Sequence, residues 1–150
     1  MNGTEAIHSQ SPSRNPNRGM TRTMISKNAA TLAYAVFLLL FAAFKYFSAA
    51  PEGFSPAYAI SVAVLVFLTG VIPYFLARLL AGKVDPAAAR WIAGIVVALL
   101  ACCAGYAAYF KLFIEPQNLG VAMRDVALRG IYAGSIQGVL AGWYATARAA

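Results

Sequence analysis

The chain has 150 residues, of which 61% are hydrophobic and 11% charged, against roughly 45–50% and about 25% in an ordinary soluble domain. A protein this small has a high surface-to-volume ratio, so so few polar side chains cannot cover its outside in water. The composition therefore excludes an ordinary water-soluble fold and names the lipid bilayer as partner and solvent. The formal net charge of +7, from 12 Lys and Arg against 5 Asp and Glu, then fits a membrane surface.

Residues 1–27 are rich in Ser, Asn, Pro, Gly and Arg and carry no periodic apolar pattern. Such a segment cannot offset the entropy cost of folding, and it is expected as a disordered basic arm. The apolar run that follows gives a first span over about 29–50, with Lys45 able to snorkel and Pro51 stopping the helix. About 20 residues at about 1.5 Å each match the hydrocarbon thickness. The rival reading is a cleavable signal peptide, because Arg14, Arg18, Arg22 and Lys27 precede the run and Ser48-Ala49-Ala50 end it.

Ser55 as N-cap, Pro56 at the first helical position and Gly82 past the end bound a second span over 56–81. Within it, Thr69, Gly70 and Pro73 predict a kink, since Pro73 has no N–H for the Thr69 carbonyl. Asp85-Pro86 repeats the cap-then-proline pattern and opens a third span over about 87–114, closed by Glu115-Pro116. Gly94, Ala98 and Cys102 recur at every fourth position there and offer a small-residue face. The fourth span, about 126–147, is less apolar because it carries Arg129, Ser135 and Gln137, and Trp143 and Tyr144 anchor its end.

The fold class is thus all-α, a polytopic integral membrane protein with a four-helix transmembrane bundle over residues 28–150. Arg14, Arg18, Arg22, Lys27, Arg78, Lys83, Arg90 and Arg148 then share one side, while Lys45, Lys111, Arg124 and Arg129 share the other. The positive-inside rule puts both termini in the cytoplasm, and the alanine-rich composition suggests a bacterial-type inner membrane. Topology accounts for the basic excess, and the chain has no aromatic-interleaved basic patch to suggest nucleic acid.

Gly130, Gly134, Gly138 and Gly142 form a glycine zipper, a regularity that 12 glycines in 150 residues do not supply by chance. Four helical residues turn about 400°, so the glycines line a groove where another backbone can approach closely. Gln137 borders it and is a candidate for an interhelical hydrogen bond. The groove has two possible occupants: the other spans of the same chain, or a partner, either a second copy or another membrane protein. Bulky Tyr132, Ile136 and Leu140 lie on the other side.

Chemistry is sparse. The one histidine, His8, lies in the arm, and the two cysteines, Cys102 and Cys103, are adjacent within an apolar run. This inventory builds no zinc site, disulfide framework, cofactor site or nucleophile triad, and no enzyme activity is expected. In length and span number the chain resembles a small multidrug exporter, but only in outline, because the glutamate of that family's first span has no counterpart in 29–47. A proton-coupled carrier keeps a protonatable group at membrane depth, and here all acids lie in tails, loops or helix ends. The expected role is a structural or accessory membrane component that packs or associates through its last helix. The alternatives are a small oligomeric channel or transporter using Gln137, Ser135 and the kink, and a pore-forming or lysis protein.

Overall fold

An apolar segment enters hydrocarbon only when each backbone N–H and C=O finds a partner within the segment, and the α-helix meets that condition locally. The computed structural model follows this rule except at the π turn beside Pro73, where donors from other helices reach the backbone. It describes residues 16–48, 55–113 and 119–149, and these are helical apart from Ser55 and the short connection after residue 81. Helix α1 is Pro16–Ser48, α2 is Pro56–Val66, a π-helical turn occupies Phe67–Val71, α3 is Ile72–Ala81, α4 is Ala87–Phe113 and α5 is Leu119–Ala149. Helix α2, the π turn and α3 form one continuous, interrupted rod.

Three stretches are long and apolar enough to cross a membrane: Thr23–Ser48, Pro56–Ala81 and Ala87–Phe113. Helix α5 matches them in length, and its glycines together with Arg129, Ser135 and Gln137 keep it below their apolarity.

Local signals explain most boundaries. The Ser55 side chain accepts the Tyr58 N–H at 3.4 Å with Pro56 beside it, and Gly82 caps α3 by donating to the Arg78 carbonyl. The expected arm needs correction over residues 16–27, which continue α1. Once a helix exists, each added residue gains a hydrogen bond at no new nucleation cost, and Pro16 is well suited to a first turn. Trp143 Nε1 donates to Ser26 Oγ at 3.0 Å and ties this extension to α5. Residues 1–15, which include His8 and Arg14, and the stop signals at Pro51 and Glu115-Pro116 lie outside the described residues.

Two other boundaries also shift. Helix α5 starts at Leu119, ahead of the expected 126. Before α4, Asp85 pairs with Arg90 and does not cap. The Pro86 carbonyl instead receives the Ala89 and Arg90 N–H groups at 2.9 and 3.2 Å.

Helix α5 packs along α4 and also touches α3 and α1. The core contains aromatic and small side chains, with Tyr34, Tyr74, Ala77, Ala98 and Ala141 in one cluster and Leu65, Cys102, Tyr106, Val126 and Ala133 in another. Large aliphatic and aromatic groups such as Leu32, Leu39, Phe44, Phe47 and Leu100 point outward. Small groups inside and bulky apolar groups outside is the arrangement hydrocarbon favours, since burying Leu gains nothing when the solvent is equally apolar.

Candidate functional site

The kink and Gln137, far apart in sequence, meet at one buried point. Pro73 lacks an N–H, so the Thr69 carbonyl loses its ordinary intrahelical donor, and the rod widens into a π turn over Phe67–Val71. Two donors from other helices replace it: Gln137 Nε2 at 2.7 Å and Cys102 Sγ at 3.2 Å. The next carbonyl, of Gly70, accepts from Tyr34 Oη at 3.2 Å. Thr69 Oγ1 donates back to the Leu65 carbonyl at 2.7 Å, a bond that loosens the same turn. Helices α1, α4 and α5 therefore each send one donor to the irregular backbone between α2 and α3.

Close approach makes this geometry possible. A Cβ added at Gly105 would collide with the Leu68 carbonyl, and one added at Gly70 would lie 2.8 Å from Leu38 Cδ1. Tyr34 stacks on Tyr74 with ring centroids 3.6 Å apart and planes within 7°. Thr69 and Gln137 are both 0% exposed, and Gln137 Oε1 has no hydrogen-bond partner. The node is sealed from outside, and its chemistry is that of donors satisfying freed carbonyls. Among the described residues, no three His, Cys, Asp or Glu side chains gather to hold a metal.

The zipper glycines lie against α4 in antiparallel register. Gly142 faces Trp91, Gly138 faces Ile95 and Gly94, Gly134 faces Leu99 and Ala98, and Gly130 faces Cys103. A Cβ at Gly134 would stand 2.8 Å from Leu99 Cα, and one at Gly142 3.0 Å from Trp91 Cα. The approach is reciprocal, since a Cβ at Gly94 would lie 2.9 Å from the Gly138 carbonyl oxygen. The groove of a single chain is thus occupied along its length by that chain's own α4. The neighbouring ridge, Ala133, Gln137, Ala141 and Ala145, is buried too, whereas Ile131, Tyr132, Ile136 and Val139 are exposed. Ser135 is half-buried and apart from the node's hydrogen bonds.

Sequence reasoning left out Tyr34, whose signal was a hydroxyl that, with Thr31, interrupts an apolar run, and the donor role of Cys102. It placed Lys45, Arg78 and Arg129 near the helix ends without the aromatic rings that Lys45 and Arg78 face. Lys45 Nζ sits 5.5, 5.9 and 5.5 Å from the ring centroids of Phe41, Phe44 and Tyr106. Arg78 Cζ lies 3.5 Å from the Tyr144 ring centroid. Asp125 and Arg129 pair at 3.4 Å. Compared with protein-family profiles, curated proteins and solved structures, the chain finds no match.

Proposed function

We propose that this chain is a small polytopic protein of a bacterial-type inner membrane, crossing it four times with both termini in the cytoplasm, and that its role is structural or accessory and not catalytic. One observation carries the reading: the buried donors Tyr34 Oη, Thr69 Oγ1, Cys102 Sγ and Gln137 Nε2 are turned onto the protein's own backbone carbonyls, with Thr69 and Gln137 0% exposed. A solute path needs polar groups that face a continuous opening, and a catalyst needs a reactive group that substrate can reach. The zipper adds support of a different kind. Because α4 fills the groove, association through the last helix would use the opposite, bulky face of α5, where Ile131, Tyr132, Ile136 and Val139 are exposed.

A channel or carrier is the second reading, favoured by the meeting of Gln137 with the π turn beside Pro73, since irregular backbone at membrane depth often lines a path. Liposomes holding the purified chain decide between the two. The structural reading expects ion and small-solute leakage equal to that of protein-free liposomes. A reproducible, selective flux that Gln137→Leu abolishes would overturn it.

A further inference from the structure

At the end of the bundle where α3 and α5 finish, a cavity of about 640 Å³ is lined by Arg78, Lys83 and Arg148 together with Tyr144, Phe75 and Leu79. Among the described residues, no acidic side chain lines it. The acid nearest in sequence, Asp85, is already paired with Arg90, and among the described residues no carboxylate pairs with any of the three cations. Two helices end here, each contributing about half a negative charge from its free carbonyls, about one in total. Three cations exceed that by about two positive charges, so the helix ends alone do not account for them.

The site is also partly organised in advance. Arg78 donates to Tyr144 Oη, lies over the Tyr144 ring, and approaches the Phe75 ring at 5.9 Å. This uses one of its five N–H donors and fixes the direction of the others. Phe75 and Leu79, on the same wall, are 52% and 57% exposed. A ligand here therefore meets positive charge in the cavity and an apolar surface continuing along α3. Free phosphate would use only the first feature, and a neutral lipid only the second.

We infer that this cavity binds the phosphate headgroup of an anionic phospholipid, with its acyl chains along Phe75 and Leu79. The inference rests on the membrane reading above and extends it, because basic pockets between helices at the cytoplasmic face suit such headgroups. Binding there would fix the lateral position and tilt of the α3 and α5 ends in the leaflet.

The test uses the full chain in neutral detergent, titrated with phosphatidylglycerol, phosphatidylcholine or inorganic phosphate, and reads the thermal midpoint and the lipid retained in native mass spectrometry. Phosphatidylglycerol should raise the midpoint at concentrations where the other two do not. Lys83→Gln with Arg148→Gln changes two exposed side chains and leaves the Arg78–Tyr144 stack in place. It should keep the lipid-free midpoint and weaken phosphatidylglycerol about 25-fold, at roughly fivefold per surface cation. The charge-matched Lys111→Gln with Arg124→Gln, at the other end, should leave the affinity as it was. Equal stabilisation by phosphatidylcholine, equal stabilisation by free phosphate, or equal loss in the two double variants overturns the site. Flotation of the detergent-free chain with pure phosphatidylcholine vesicles separates the premise: a chain that floats but shows no anionic preference sinks the site alone, and one that stays in the buffer sinks the membrane reading with it.

Discussion

At the residue scale, the Thr69 carbonyl links Pro73 to Gln137. Proline removes its local donor, and Gln137 supplies one at 2.7 Å from another helix. Interhelical hydrogen bonds of this kind contribute about 0.6 kcal/mol on average and up to about 1.7. Gln137→Leu should cost about 1 kcal/mol, with Cys102 left as the remaining donor to that oxygen. Pro73→Ala returns the N–H to position 73, so the same Gln137→Leu change should cost less in that background. The measurement is a double-mutant cycle on detergent unfolding. Strict additivity, within about 0.3 kcal/mol, would show that the two residues do not share the carbonyl. Tyr34 separates two contributions: Tyr34→Phe keeps the stack on Tyr74 and loses the bond to Gly70, costing about 0.6 kcal/mol. Tyr34→Ala loses both and leaves a void, costing about 3 kcal/mol or more. Equal losses for the two Tyr34 variants would assign the stack no role. The Thr69–Pro73 break was legible because it follows from the chemistry of proline. Its partner was not, because 68 positions separate Thr69 from Gln137 and no local pattern encodes which amide reaches which carbonyl.

At the element scale, the zipper is a case where helical propensity and packing disagree. Alanine is favoured over glycine in a helix by about 1 kcal/mol, so propensity alone makes Gly138→Ala stabilising. Here the added Cβ would collide with Ile95 Cα, a backbone atom that a rotamer change cannot move. Overpacking costs about 1–3 kcal/mol and should win, giving net destabilisation. A rise in the unfolding midpoint of Gly138→Ala would contradict the close approach of α4 and α5. Gly134→Leu with Gly138→Leu pushes the two helices apart outright, and gel filtration in detergent should show an expanded or aggregated species. The glycine period was legible, but its occupant was open, since a repeat of four serves a dimer and an internal pair equally. The hint lay in α4, where Gly94, Ala98 and Cys102 are all buried and carry the same spacing. The helical extension over residues 16–27 was not legible, because their polar composition and lack of apolar periodicity point away from a helix. They extend, on its N-terminal side, a helix nucleated by the apolar run, and Ser26 is held by Trp143.

At the scale of the whole molecule, the four-crossing reading of α5 separates hydropathy summed along a segment from the surface that lipid would meet. A window average counts the whole circumference of a helix, whereas the bilayer touches only the outer face. The inner face of α5 holds the glycines, Gln137 and the buried alanines, all covered by α4, α3 and α1, and its outer face presents Leu128, Ile131, Tyr132, Ile136 and Val139. Its 31 residues extend about 46 Å, enough to span the hydrocarbon and both interfaces. On the four-crossing reading, the connection at Lys83 and the residue before the C-terminus, Ala149, share a compartment. With three crossings and α5 lying along the surface, they fall on opposite sides. Single cysteines in place of Lys83 and Ala149, challenged with a membrane-impermeant maleimide in intact cells, discriminate directly, because Cys102 and Cys103 lie mid-helix in α4 and Cys102 is 0% exposed. Both new thiols should stay unlabelled until the membrane is permeabilised, while a cysteine replacing Gln117 should be labelled at once. Labelling at Ala149 but not at Lys83 in intact cells would leave three crossings and remove the fourth span from the reading.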